Sequence, residues 1–159
     1  MNIERDDLRE RLQRDLPEAL VPEPGLPATA DLVVLPALIV PVARYLREML
    51  GYEMLSNLTA VDYLNHDIIE LVYHFNHLVG GPPLVIKTRL PREQAWLPSL
   101  TPEWPGADLQ EREAFDLFGI EFSGHPYLKR IYMWDEFEGF PMRKDFPKQG
   151  DKYFGEDGE

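Results

Sequence analysis

The densest polar group in the chain is Glu111, Arg112, Glu113 and Asp116, with His125 beyond it. Three carboxylates and an imidazole are the residue types of a hard-metal site or a general acid–base pair. Two features oppose that chemistry. Arg112 stands among the acids and neutralises them, and no Glu-x-x-His spacing brings a carboxylate and an imidazole onto one helix face. The pattern favours structural ion pairing, including against a partner, where a buried charge requires an opposite one.

The remaining candidates are sparser. His74-x-x-His77 falls on an expected strand, where residues three apart point to opposite faces, so joint metal ligation is awkward. His66 lies in a polar turn between Asn65 and Asp67 and receives no role. Arg143-Lys144-Asp145 follows Pro141, with Lys129 and Arg130 upstream. These bases suit bidentate contact with acidic groups of a partner, or neutralisation within an acidic chain. Cysteine is absent, which excludes disulfides, Cys-ligated iron–sulfur or zinc sites and a thiol nucleophile. No Gly-x-Gly-x-x-Gly, phosphate-binding loop or serine elbow occurs.

The elements that must position these residues belong to a chain of 159 residues, the size of one compact domain with an arm at either end. A net charge of −12 opposes binding to nucleic acid or to an anionic membrane. The longest apolar run, Leu32 to Val42, is cut by Pro36 and Pro41 and is too short to span a bilayer. Met1 to Gln13 is charged and holds no signal-peptide core.

Periodicity predicts a first helix capped by Asn2, with Ile3, Leu8, Leu12 and Leu16 on one stripe. Pro17 ends it, and Pro22, Pro24 and Pro27 make the next stretch a linker. Asp31 to Leu35 reads as a strand, followed by a helix with Pro41 at its first position and Gly51 past its end. Met54 to Asp62 and Ile68 to Asn76 are strands. In the second, Ile69, Leu71, Tyr73 and Phe75 share one face. Gly80 to Pro83 turns the chain into a hairpin arm, Leu84 to Leu90.

Residues 98–119 hold a third helical region, with Asp108 and Glu111 at capping-box spacing. Asp108 with Arg112, and Arg112 with Asp116, form i,i+4 pairs. Gly119 suits the helix end. Beyond Phe122, glycines and prolines interrupt a tail rich in aromatics, including Tyr127, Tyr132, Trp134, Phe137, Phe140, Phe146, Tyr153 and Phe154. Such a segment lies extended over another surface, part of it another protein. The expected fold is α+β: a small mixed sheet covered by helices, with an extended irregular C-terminal arm. The divisions are 1–30 (N-terminal helix and proline-rich linker), 31–122 (α+β domain) and 123–159 (partner-binding arm).

The run Glu111-Arg112-Glu113-Ala114-Phe115-Asp116-Leu117-Phe118-Gly119-Ile120, then Gly124-His125-Pro126 and Arg130-Ile131, resembles a family signature. The family is the hydrophilic C subunit of proton-pumping NADH:quinone oxidoreductase, respiratory complex I and its photosynthetic relatives. Pro141-Met142-Arg143-Lys144-Asp145-Phe146-Pro147 resembles a second block. Leu58-Thr59-Ala60-Val61-Asp62-Tyr63, Tyr73-His74 and Pro98-Ser99-Leu100 also fall in place. Asp108-Leu109, where the family more often has Asn-Trp, and Tyr127 after Gly-His-Pro depart from the pattern. With no fused D-subunit region after Pro147, the chain resembles the stand-alone form.

The resemblance implies a scaffold subunit of the quinone-reducing module, carrying no cofactor itself. Iron–sulfur clusters, flavin and quinone would reside on partner subunits. It implies packing against the D subunit and near the B subunit, with other peripheral-arm subunits around them. The complex carries electrons from NADH, or ferredoxin, to quinone with proton translocation. Membrane association would come only through that complex, on the cytoplasmic side of the cell membrane (the stromal or cytosolic face if photosynthetic). Glu111, Arg112, Glu113, Asp116, His125, Arg130, Arg143, Lys144 and Asp145 would be partner-interface residues. Rival readings are the homologous scaffold of a membrane-bound hydrogenase or formate hydrogenlyase, a small metal hydrolase using Glu111, Glu113, Asp116 and His125, and a free acidic adaptor.

Overall fold

Strand alternation and helix stripes meet in one core. The computed structural model describes residues 2–147, so Tyr153, Phe154 and the rest of the tail lie outside the described residues. The first helix, α1 (Arg5–Asp15), buries Leu8 and Leu12 completely. Its cap position is Glu4 rather than Asn2, whose amide instead lies against Gly81. Strand β1 (Leu32–Val34) leads through a short 3-10 turn at Pro36–Leu38 into α2 (Ile39–Leu50). Pro41 is thus the third residue of that helix, still within the first turn, where no backbone N–H is needed. Gly51 closes α2 in the left-handed conformation, φ 73°.

Strands β2 (Met54–Tyr63), β3 (Ile68–Asn76) and β4 (Leu84–Pro91) complete a four-stranded mixed sheet ordered β1-β4-β3-β2. β1 runs parallel to β4, and the other pairings are antiparallel. Ile69, Leu71, Tyr73 and Phe75 are all fully buried, with Ile86 and Leu90 beside them and Val42, Ala43 and Leu46 of α2 in the same core. The α+β fold, with its small mixed sheet and covering helices, is borne out.

On the opposite face, Glu70 is buried and lies in register with Arg89, which donates to it at 2.8 Å. Arg89 also donates to the carbonyls of Pro24 and Pro27. The proline-rich stretch therefore lies on the sheet. A chain without internal ladder hydrogen bonds has free carbonyls, and a guanidinium with five donors can take several at once.

Two short strands escape the sequence pattern: β5 (Trp96–Pro98) and β6 (Glu121–Ser123), paired in parallel. Three residues each is too little for a period of two to register. Between them runs α3 (Ala107–Phe118), so β5-α3-β6 is a crossover unit that fixes both ends of the helix. Gly106, not Asp108, holds the cap position of α3, and no side chain among the described residues caps it. Asp108 lies inside the first turn, where its charge faces the positive end of the helix dipole. Along the edge strand β2, Gln110 of α3 accepts the otherwise free N–H of Leu58.

Candidate functional site

The last four carbonyls of a helix have no partner within it. In α3 all four are taken. Gly119 N–H donates to Phe115, and the segment after β6 supplies the rest. The Arg130 guanidinium reaches the Asp116 carbonyl at 3.2 Å. Met142 N–H reaches Leu117 at 3.0 Å. Arg143 Nε reaches Phe118 at 2.7 Å. Residues 124–147 thus form a strap over the C-terminus of α3, and two cations sit where the helix dipole favours them. Gly119 permits this closure twice over: its φ is 74°, and a Cβ there would lie 2.5 Å from the Phe140 ring.

Asp116 is the centre of the strap. Its side chain is fully buried. One oxygen accepts Arg130 at 3.0 Å. The other accepts the N–H groups of Ile131, Tyr132 and Met133 at 3.0, 2.6 and 3.1 Å. Burial alone would raise its carboxyl, but the three N–H donors and Arg130 hold it below the usual range. Arg112 does not pair with Asp108 or Asp116 at helical spacing. It turns instead to the carbonyls of Lys129 and Arg130, at 3.0 and 3.5 Å. Asp116, one of the two acids at that spacing, is occupied by donors 14 to 17 residues away.

A second clasp holds the far end of the strap. Arg92, just after β4, donates two hydrogen bonds to Asp62 of β2, at 2.7 and 3.0 Å. The same guanidinium binds Asp145 at 2.7 Å. Lys144 N–H donates to Asp62 at 2.8 Å, and Arg143 Nη1 to the Arg92 carbonyl at 3.0 Å. Burial works to raise the Asp62 carboxyl, and Arg92 with the Lys144 N–H outweighs it, so the group stays ionised below its ordinary range. Burial, with Arg92 nearby, lowers the Arg143 guanidinium.

Glu111 lies apart from these pairs. It is fully buried and accepts Ser99 Oγ at 2.6 Å and Leu100 N–H at 2.7 Å, with no arginine or lysine against it among the described residues. Burial pushes its carboxyl up to about 7, the Ser99 and Leu100 donors opposing the rise and the charge of Asp108 adding to it. The Tyr73 hydroxyl is buried without a hydrogen-bond partner among the described residues. Burial and then Glu111 raise it well above its ordinary value. His125 Nδ1 accepts Tyr127 N–H, leaving Nε2 to face the Asp108 carboxylate at 3.0 Å, the Asp108 carbonyl at 3.2 Å and Glu111 at 4.0 Å.

The nine sequence-predicted residues therefore converge on α3, its strap and the clasp at β2–β4. Glu111 and Asp116 are buried within the chain, and their oxygens face its own donors, so they do not present themselves to a partner directly. Arg130, Arg143 and Arg112 anchor the strap and are half-buried, whereas the His125 side chain is fully buried. Glu113, Lys144 and Asp145 are exposed. Arg92 was missed as a site residue. Asp62 and Ser99 were visible only inside strings that carried the family resemblance, because their partners lie far along the sequence. His77 packs on Tyr52 and bonds the Gly51 carbonyl, and His74 lies beside Asn57.

Fold and site together define a mixed α+β domain whose acidic residues tie its own C-terminal strap to a crossover helix. Residues 32–152 match the family described as respiratory-chain NADH dehydrogenase, 30 Kd subunit, and the chain belongs to that family. The resemblance read from Glu111–Ile120 and Pro141–Pro147 is borne out. The C subunit of NADH-quinone oxidoreductase from Moorella thermoacetica is 43% identical over 150 residues, covering 91% of this chain and 96% of that one. Among solved structures, a chain of the archaeal membrane-bound sulfane sulfur reductase superimposes with a TM-score of 0.70 at 28% identity, over 91% of this chain and 86% of that one. A trypsin-resistant fragment of Nqo5 matches with a TM-score of 0.58 at 26% identity, over 79% of this chain and 100% of the fragment.

Proposed function

We propose that this chain is a scaffold subunit of a proton-pumping NADH:quinone oxidoreductase. In this reading it carries no redox group, and iron–sulfur clusters, flavin and quinone lie on its neighbours. It packs in the quinone-reducing module against the D and B subunits, peripheral to the membrane on its cytoplasmic side. One observation carries the reading: Asp62, Glu111 and Asp116 are all engaged by donors of their own chain, while the strap that Asp62 and Asp116 fix carries exposed aromatic side chains. Acids held this way position a surface rather than handle a substrate. In electron transfer such a subunit contributes geometry, keeping its neighbours in register.

Among the described residues no helix is long and apolar enough to cross a membrane, so attachment by way of partner subunits fits the chain. The test is to tag the chain in its host, solubilise membranes gently and assay what co-purifies. Iron–sulfur and membrane-spanning subunits with NADH:quinone reductase activity support the reading. A lone protein overturns it. The likeness to a chain of the sulfane sulfur reductase favours a second reading, the same scaffold in a complex with other electron partners. Quinone reduction driven only by ferredoxin, or hydrogen evolution, by the purified assembly would decide for it.

A further inference from the structure

The strap holds a cup that none of the contacts above uses. Trp134, Phe137, Gly139, Phe146 and Pro147 line a cavity of about 560 Å³, with Glu136 and Glu138 at its rim. Trp134 and Phe137 meet edge to face, centroids 4.9 Å apart, and Phe137 stacks on Phe146 at 5.9 Å. Trp134 is 62% exposed.

The cup is built rather than incidental. Phe137 N–H bonds the Trp134 carbonyl, and Phe146 N–H bonds that of Arg143. Arg130 holds Gly139 through its carbonyl at 2.9 Å. Gly139 lacks the Cβ that would lie 3.0 Å from the Phe146 ring, so the ring can close on the turn.

Its electrostatics select an occupant. Asp135, Glu136 and Glu138 are exposed and form no ion pair among the described residues, whereas the neighbouring acids Glu113 and Asp116 meet Tyr132 and Arg130. The Arg130 guanidinium lies 5.5 Å from the Phe137 ring centroid, so the open face is that of Trp134. An aromatic face beside unpaired carboxylates attracts a further cation through the ring quadrupole and by direct charge. The same carboxylates repel phosphate, which disfavours lipid headgroups and nucleic acid.

We propose that the cup of Trp134, Phe137 and Phe146, rimmed by Glu136 and Glu138, receives a lysine or arginine side chain from an extended segment of a neighbouring protein subunit. This rests on reading the chain as a subunit of a larger complex. The aliphatic stem of such a side chain packs on the rings while its charged head meets the rim.

The experiment places p-benzoylphenylalanine at position 134 of the tagged chain in its host and photo-crosslinks the isolated complex. Mass spectrometry is expected to find a neighbouring subunit's peptide with a lysine or arginine within a few residues of the crosslink. A crosslink to lipid, to residues 148–159 of this chain, to a segment without a basic residue, or to nothing overturns the proposal. In parallel, E136K/E138K is expected to lower retention of the chain in the complex about tenfold, in line with like charges juxtaposed at an interface. E136Q/E138Q should release it at lower KCl than wild type. Both positions are exposed, and an unchanged melting temperature of the isolated chain shows that the fold survives. If the wild-type chain co-purifies and both variants match it, the cup proposal fails and the scaffold reading stands. If wild type does not co-purify, the scaffold reading itself fails.

Discussion

Arg130 grips Asp116 twice, at its carboxylate (3.0 Å) and at its main-chain carbonyl (3.2 Å), so one side chain both neutralises a buried acid and caps a helix. Asp116 in turn holds the three successive N–H groups that follow Arg130. The strap and α3 are therefore one cooperative unit, and losses there are larger than for single surface contacts.

Asp116→Ala removes the acceptor of three successive N–H groups and strands the Arg130 charge. The expected cost is about 3–5 kcal/mol, the scale for breaking one side of a buried pair. That corresponds to a fall of roughly 10 °C in melting temperature. Thermal unfolding of the isolated chain checks it, and loss of the subunit from the complex is expected in the same variant and in Arg143→Ala.

Arg92→Lys keeps the charge but cannot reproduce the two-point grip on Asp62 while also holding Asp145, because an ammonium lacks the planar fork. The expected result is local: faster amide hydrogen exchange at Lys144, whose N–H is held by Asp62, with little change at Leu71 or Tyr73 in the core. Equal protection at Lys144 in both proteins would contradict the clasp.

Glu111 gives stability an unusual dependence on pH. Its carboxyl is raised in the folded chain from an ordinary 4.5 to about 7. The protonated form therefore favours the fold, fully below the unfolded value, and that contribution is lost as pH rises through the folded value, by about 3 kcal/mol in all. Asp62 and Asp116, both lowered, act oppositely: their contribution is present above the unfolded value and is lost in acid. Urea unfolding between pH 5 and pH 8 separates them. Wild type should lose stability relative to Glu111→Gln across that range, while the two aspartates remain ionised.

Gly119→Ala combines a left-handed backbone with a Cβ in the Phe140 ring, whereas Gly80→Ala meets a φ of 94° with nothing among the described residues within 4 Å. The backbone penalty alone is about 1–2 kcal/mol. Gly119→Ala should therefore destabilise by more than Gly80→Ala, as read from paired melting curves. Equal losses would mean that Phe140 gives way freely.

Much of the fold was legible in the sequence. The alternation Ile69, Leu71, Tyr73, Phe75 identified a strand and its buried face together, because a period of two encodes direction as well as type. Gly51 and Gly119 marked helix ends because few other residues adopt positive φ there. The first turns were less legible: Asp108 has the residue type of a cap, yet Gly106 holds that position, since the crossover from β5 sets where α3 begins. β5 and β6 left no periodic trace.

By itself the sequence determined the α+β class, the core faces, the absence of cysteine chemistry and, through two contiguous motifs, the family. Only the tertiary structure decided what the charged motif residues touch. Arg112 had two acids at helical spacing and chose neither, Asp116 took donors from 14 to 17 residues away, and Asp62 met the N–H of Lys144 across 82 residues. Local spacing states which face of an element a residue occupies. Which opposite charge arrives there is set by how the chain returns, and the low dielectric of the interior then makes that one partner decisive.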